Sequence, residues 1–204
     1  MITLYVNTGY TSPYALSVFV SLKEKGLPFE LREVNLSAGE HKAKELADAF
    51  GTMRVPMFEH DSFRLTESSA ICEYIDEVFP QGPALYPADS KDRARARQIQ
   101  AWVRSDLMAI REERSTEFVW SGVKQAPLSV AGQVAAEKLL RFAGALLPTG
   151  QSTLFGQWSI ADTDLGVMLG RLVLNGDDVP AHLAEYSNAQ WNRPSVAAWP
   201  SRSR

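Results

Sequence analysis

The sequence has very little cysteine and histidine. Cys72 is the single cysteine among 204 residues, which excludes an intramolecular disulfide framework. A chain of this length can bury most of its apolar surface on folding, so it needs no such staple. His41, His60 and His182 are far apart, and no spacing is typical of a metal site. We therefore expect a protein without a bound metal.

The chain also lacks a large charge of either sign and a long apolar run. It has 24 acidic and 21 basic residues, for a formal net charge of −3, so no electrostatic pattern favours nucleic acid or an anionic membrane as a partner. The stretch Met1 to Val6 has no basic leader or cleavage motif. These absences lead us to expect a cytoplasmic protein with no signal peptide and no membrane span.

The first third of the sequence alternates strand and helix signals. Residues 2–6 are predicted to be a buried strand, and Ser12-Pro13 has the residue types favoured at the start of a helix. That helix is predicted to end near Gly26. A second strand over 29–36 and a polar helix over 40–49 are expected to follow.

Two short strands and a further helix complete this part. Residues 55–58 and 63–65 are predicted to form a hairpin, followed by an amphipathic helix over 67–79. The order βαβαββα requires a parallel crossover and then an antiparallel hairpin. We therefore predict an α/β, thioredoxin-like domain over residues 1–81.

After a proline-rich linker the strand signals stop. Ile99, Val103, Leu107 and Ile110 are expected to share one face of a long helix. Further helices are predicted over 129–147, 159–174 and 181–186. We therefore expect an all-helical bundle over residues 90–204.

Five motifs occur in the order and spacing of one known family. They are Ser12-Pro13-Tyr14, the segment 24–30, Val55-Pro56, the segment 65–71, and Ser159-Ile160-Ala161-Asp162. Together they resemble the glutathione transferase family over residues 1 to about 175. The segment 93–114 is further similar to the bacterial YfcF-type subgroup. The spacing of Ser159 and Asp162 also predicts a capping box, which is a structural role.

The resemblance implies that Ser12 is the catalytic residue and that glutathione is the co-substrate. A free thiol has a pKa of about 8.5, and lowering it by roughly two units requires about 2.7 kcal/mol. A hydroxyl hydrogen bond to a charged partner supplies about 1.5–3 kcal/mol, and a helix N-terminus about 0.3–1 kcal/mol. Tyr10 and Tyr14 remain alternatives, because some branches of the family use a tyrosine hydroxyl. Cys72 is predicted to be a small core residue.

The resemblance also implies how the rest of glutathione is bound. Val55 would pair with the cysteinyl part through its backbone, before a cis bond to Pro56. Arg54, just before, could reach a carboxylate of the ligand, and the alternative that it is a solvated surface arginine stays open. Glu67 would bind the amino group of the γ-glutamyl end, and Ser68 its carboxylate.

The resemblance says less about the second substrate, which accepts the glutathione thiol. The resemblance implies an electrophile or an organic hydroperoxide as the second substrate, an acceptor pocket near Tyr14, Trp102, Asp106 and Trp120, and a homodimer. Two alternatives to conjugation stay open. One is a glutathione-dependent disulfide reductase, and the other is a non-catalytic glutathione-binding or scaffold protein of the same fold.

Overall fold

The structure is a computed structural model that describes residues 1–200. It contains two compact units, Met1–Leu85 with residues 198–200, and Tyr86–Ala197. The ranges 1–81 and 90–204 stay a prediction about domains. The described end of the chain belongs with the first unit because the ring of Trp199, which is fully buried, packs against Tyr10 and Phe19.

The first unit contains a four-stranded sheet in the order β2-β1-β3-β4. Strands β1 and β2 are parallel, whereas β3 is antiparallel to both β1 and β4. The strands are Ile2–Asn7, Glu30–Val34, Met57–His60 and Phe63–Thr66. The prediction of a mixed, thioredoxin-like sheet is confirmed.

Three α-helices accompany this sheet: α1 (Pro13–Glu24), α2 (Lys44–Phe50) and α3 (Ser68–Val78). All residues of α1 from Ala15 to Leu22 are buried, and α1 packs against α3. The polar helix predicted over 40–49 is divided. A single 3₁₀ turn, Glu40–Lys42, precedes α2, because Ala43 between them has extended-type dihedral angles.

The interface of α1 and α3 also contains buried polar groups. Cys72 is fully buried, and the Oγ of Ser21 donates to its Sγ at 3.2 Å. Lys25 and Asp76 form a buried ion pair of 2.8 Å. Cys72 is therefore a core residue, as predicted.

The regular secondary structure of the second unit consists of helices, with no strand among its described residues. Its helices α4 to α10 are Ser90–Ser105, Met108–Glu113, Thr116–Val119, Val130–Leu146, Ile160–Asn175, Ala181–Trp191 and Pro194–Ala197. Helix α8 is central, since every residue from Ile160 to Leu172 is buried, and it packs against α9, α4 and α7. Within residues 1–200, no helix has both the length and the apolar character that crossing a membrane requires.

The prediction that residues 99–110 belong to one long helix is wrong. Helix α4 ends at Ser105, and Leu107 has a left-handed conformation with a φ of 60°. Asp106 causes the break, because its Oδ1 accepts the backbone N–H of Leu107 at 2.7 Å, while its Oδ2 accepts from Trp102. Aspartate competes in this way with helical hydrogen bonds.

The capping box at the start of α8 is confirmed. The backbone N–H of Ser159 donates to Oδ2 of Asp162 at 2.8 Å. The other carboxylate oxygen accepts from Leu154 N at 2.7 Å and from the hydroxyl of Tyr186 at 2.9 Å. Burial nevertheless raises the pKa of Asp162 above its ordinary value. This carboxylate organises the core of the second unit.

Candidate functional site

A cavity of about 370 Å³ opens on the first unit beside the N-terminus of α1. Such a volume is in the range of small-molecule sites. The lining combines polar, cationic and apolar side chains: Asn7, Thr11, Ser12, Leu36, His41, Met53, Arg54 and Val55. Three residues predicted to act on glutathione, Ser12, Arg54 and Val55, are therefore brought together.

Ser12 is the N-cap of α1. Its Oγ accepts the backbone N–H of Ala15 at 3.2 Å, and its own N–H donates to Oδ1 of Asn7 at 3.0 Å. A hydroxyl has one proton and two acceptor lone pairs, so the cap uses only a lone pair. Among the residues that the structure describes, the hydroxyl proton of Ser12 has no acceptor. It is free to donate to a ligand in the cavity.

The two alternative tyrosines are placed differently. Tyr10 is only 8% exposed, and its hydroxyl donates to Oε1 of Glu33 at 2.8 Å. Tyr14 lies in the first turn of α1 and is half-buried. Neither residue is among the described residues that line the cavity. Of the three hydroxyls considered for thiol activation, only that of Ser12 therefore belongs to a residue of the described cavity lining.

The peptide bond between Val55 and Pro56 is cis, as the resemblance implies. Val55 is half-buried at the cavity, Pro56 is buried, and Arg54 is exposed. Strand β3 begins directly afterwards at Met57. The cis bond therefore joins the cavity lining to the sheet.

Glu67 and Ser68 lie at the same edge of the sheet as the cavity. Met57 pairs with both Tyr5 and Thr66, so the end of β1, the start of β3 and the end of β4 are adjacent. Glu67 is exposed, with a φ of 67°, a region that non-glycine residues rarely adopt. Ser68 is buried and begins α3. This placement leaves the Glu67 carboxylate facing solvent at the N-terminus of a helix.

Several residues of the cavity were missed by the sequence analysis. Asn7 and Thr11 precede Ser12 on the loop after β1, and His41 comes from the 3₁₀ turn after β2. The Nδ1 of His41 is buried and has no hydrogen-bond partner among residues 1–200. No local pattern marks these residues, because loops that are separate in sequence bring them together.

The acceptor pocket expected near Tyr14, Trp102, Asp106 and Trp120 stays a prediction. The Nε1 of Trp102 donates to Oδ2 of Asp106 at 3.0 Å, and Asp106 also forms an ion pair with Lys138. Trp120 instead packs against Trp191, with ring centroids 5.4 Å apart. Tyr14 belongs to the first unit.

A second cavity, of about 390 Å³, lies between α4 and α7 in the second unit. Trp102 contributes to it and packs edge-on against Phe142 at 4.6 Å. The remaining lining is Gln98, Lys138, Arg141 and Ala145. Within residues 1–200, no group of three or more histidine, cysteine or acidic side chains is arranged to hold a metal ion.

Two family models together match almost the full chain. The family model of the glutathione S-transferase N-terminal domain matches residues 2–77, and that of the C-terminal domain matches residues 89–203. A probable glutathione S-transferase, GSTU6 of Oryza sativa subsp. japonica, is 32% identical, over 96% of this chain and 81% of the rice protein. Human glutathione S-transferase theta-2 is 36% identical over 86 residues. That match covers 42% of this chain and only 35% of the human protein.

Solved structures share the fold. A glutathione transferase homolog from Burkholderia gl BGR1, crystallised with bound glutathione, is 45% identical with a TM-score of 0.80. The match covers 99% of this chain and 98% of the other. A tau class enzyme from mango, Mangifera indica, has a TM-score of 0.76 at 24% identity, covering 99% of this chain and 94% of the mango protein. Membership of the YfcF-type subgroup stays a prediction. The domain models and the full-length relative show that this chain belongs to the glutathione S-transferase family.

Proposed function

We propose that this protein binds glutathione in the first-unit cavity and activates its thiol for transfer to an electrophilic acceptor. One observation carries the proposal. The Oγ of Ser12 accepts a hydrogen bond from Ala15 N, and its hydroxyl proton remains available to donate to a ligand in the cavity. The bound glutathione of the Burkholderia relative, which is 45% identical, supports the choice of ligand.

Ser12 would act by stabilising the thiolate, which is the reactive form of a thiol. Its hydroxyl donates to the sulfur, and a hydrogen bond to a charged partner contributes about 1.5–3 kcal/mol. The N-terminus of α1, a helix of 12 residues, adds about 0.3–1 kcal/mol. Together these effects lower the thiol pKa by roughly two units. The thiolate then attacks the acceptor, a carbon–sulfur bond forms, and the leaving group departs with the bonding electrons.

The remaining groups of glutathione match the charges around the cavity. The tripeptide has two carboxylates and one amino group. The carboxylate of Glu67 would pair with the amino group, and Ser68, at the N-terminus of α3, with the adjacent carboxylate. Arg54 and His41 would face the second carboxylate, since both line the cavity. The backbone of Val55 would pair with the cysteinyl part as a strand edge pairs with a peptide.

For the second substrate and the oligomeric state, only the general class is proposed. We propose a small electrophile as the acceptor and a homodimer as the functional form. Reduction of organic hydroperoxides and the acceptor role of Tyr14, Trp102, Asp106 and Trp120 stay predictions. We also propose a reducing, cytoplasmic compartment, because reduced thiols persist there.

A disulfide reductase that works through a protein thiol has less support. The described lining of the cavity contains no cysteine, and Cys72 is fully buried between α1 and α3. A reductase of this fold would need two glutathione molecules in the site.

The test is the rate of conjugation of glutathione to 1-chloro-2,4-dinitrobenzene. We expect Ser12→Ala to lower kcat/KM by about 10- to 150-fold, the equivalent of one charge-assisted hydrogen bond. Ser12→Thr keeps the hydroxyl and should retain most of the activity. Ser129→Ala is the matched control, because Ser129 caps α7 through the same kind of bond, to Gly132 N at 3.1 Å. Unchanged turnover in Ser12→Ala would transfer the role to a tyrosine.

A further inference from the structure

The side chain of Asn7 is directed entirely at the loop that presents Ser12. Asn7 ends β1, is 8% exposed and lines the cavity. Its Oδ1 accepts the backbone N–H of Ser12 at 3.0 Å. Its Nδ2 donates to Oγ1 of Thr11 at 2.9 Å and to the carbonyl of Thr8 at 3.2 Å. One amide thus binds the loop at three points.

This loop needs such support because its backbone is unusual. Gly9 and Tyr10 are both left-handed, with φ values of 88° and 57°. A tyrosine in this region is unfavourable without compensation from its surroundings. The N–H of Tyr10 donates to the carbonyl of Asn7 at 3.0 Å. Both the backbone and the side chain of Asn7 therefore hold the loop in this conformation.

We propose that Asn7 is a positioning residue for thiol activation. By accepting the N–H of Ser12, Asn7 fixes the backbone from which the Ser12 hydroxyl points into the cavity. By donating to Thr11, Asn7 orients a second hydroxyl that lines the same cavity. This inference rests on the proposed role of Ser12, since Asn7 acts through that residue and not on glutathione.

The chemistry requires an amide at position 7, not a carboxylate. Aspartate would keep the acceptor for Ser12 N but lose both bonds donated by Nδ2. It would also place a negative charge near the thiolate, and a like charge raises the pKa of a group that ionises to an anion. Asn7→Asp is therefore expected to be more harmful than its small change in shape suggests.

The experiment is a double-mutant cycle on the pH dependence of kcat/KM, with wild type, Asn7→Ala, Ser12→Ala and the double variant. Asn7→Ala is expected to lower kcat/KM by about 10-fold, because misplacing a reacting group by an ångström costs up to about 100-fold. The acidic limb of the profile should move to higher pH, while the KM for glutathione stays within several-fold. In the Ser12→Ala background, removing Asn7 should change kcat/KM by less than about twofold.

Two controls separate positioning from general stability. Asn175→Ala removes a comparable amide, whose Oδ1 accepts Gln125 N at 2.7 Å in the second unit, and should leave the pH profile unchanged. If Asn7→Ala does not fold, the pH profile of kcat/KM is measured on Asn7→Asp instead, because aspartate keeps the side-chain oxygen that accepts the Ser12 N–H. In Asn7→Asp the acidic limb should move further than in Asn7→Ala.

Each result has one meaning. An unchanged profile in the folded Asn7 variants, with activity lost in Ser12→Ala, overturns the inference and leaves the proposed function intact. The inference is also overturned if Asn7→Ala lowers kcat/KM as much in the Ser12→Ala background as in wild type. Full activity of Ser12→Ala would instead overturn the role of Ser12 in the proposed function and transfer thiol activation to a tyrosine.

Discussion

The indole N–H of Trp199 donates to the backbone carbonyl of Tyr10 at 2.7 Å, across 189 residues of sequence. The Trp199 ring is fully buried, and its centroid lies 5.4 Å from that of Tyr10 and 5.0 Å from that of Phe19. The left-handed Tyr10 belongs to the loop that leads into Ser12. A residue close to the end of the described chain therefore stabilises the loop on which the proposed thiol activation depends.

Trp199→Phe tests this contact, since it keeps an aromatic ring and removes the N–H. The Tyr10 carbonyl then loses a buried donor, and we expect the free energy of unfolding to fall by about 1–3 kcal/mol. Trp158→Phe is the matched control, because Trp158 Nε1 has no hydrogen-bond partner among residues 1–200. Chemical denaturation of both variants gives the comparison. Equal losses would mean that the indole N–H of Trp199 adds nothing specific.

Glu67→Gln tests the proposed binding of the amino group of glutathione. The substitution keeps the shape of the side chain but removes its charge, so the charge-assisted hydrogen bond is lost. We expect the Kd for glutathione, measured by titration calorimetry, to rise by about 10-fold or more. Glu77→Gln, on an exposed position of α3, should leave the Kd unchanged. If Glu67→Gln binds as tightly as wild type, the amino group is held elsewhere.

Asp162→Asn tests the core of the second unit. The carboxylate accepts from Ser159 N, Leu154 N and the hydroxyls of Ser159 and Tyr186. An amide has one acceptor oxygen, and its NH₂ would face buried donors, so we expect a loss of at least about 2 kcal/mol in unfolding free energy. The exposed Asp178→Asn should cost almost nothing. A near-neutral Asp162→Asn would show that the capping box is dispensable.

Asp106→Asn gives a pH-dependent prediction. Hydrogen bonds from Lys138 and from the backbone of Leu107 lower the pKa of Asp106 below its ordinary 3.8. For an acid with a lowered folded-state pKa, the stabilisation is present above the unfolded pKa and is lost as the pH falls through the folded value. The Tm of wild type should therefore exceed that of Asp106→Asn at neutral pH. The difference should shrink on acidification below 3.8, and a constant difference would contradict this account.

Local signals in the sequence were sufficient for most of the first unit. The Ser12 cap, the hairpin and α3 follow from residue preferences within a few positions, and the parallel orientation of β1 and β2 follows from the crossover. The break at Asp106 could not be predicted in this way. It coincides with the competition of one carboxylate with the helix, and that carboxylate also contacts Lys138, which lies 32 residues away in the sequence.

The candidate site was predicted only at residues of the family motifs and at Arg54, which directly precedes one of them. Ser12, Arg54 and Val55 line the cavity, whereas Asn7, Thr11 and His41 were missed. Asn7 resembles any polar residue at the end of a strand, and its importance depends on the left-handed turn that follows. Trp199 was missed because nothing near it in sequence reveals its contact with Tyr10.

The most direct test of thiol activation is the ultraviolet absorbance of the glutathione thiolate, titrated against pH in the saturated complex. For wild type we predict an absorbance midpoint roughly two pH units below the value of about 8.5 for a free thiol. In Ser12→Ala, with glutathione still bound, the midpoint should return towards the free value. A wild-type midpoint equal to that of free glutathione, at full saturation, would contradict the account.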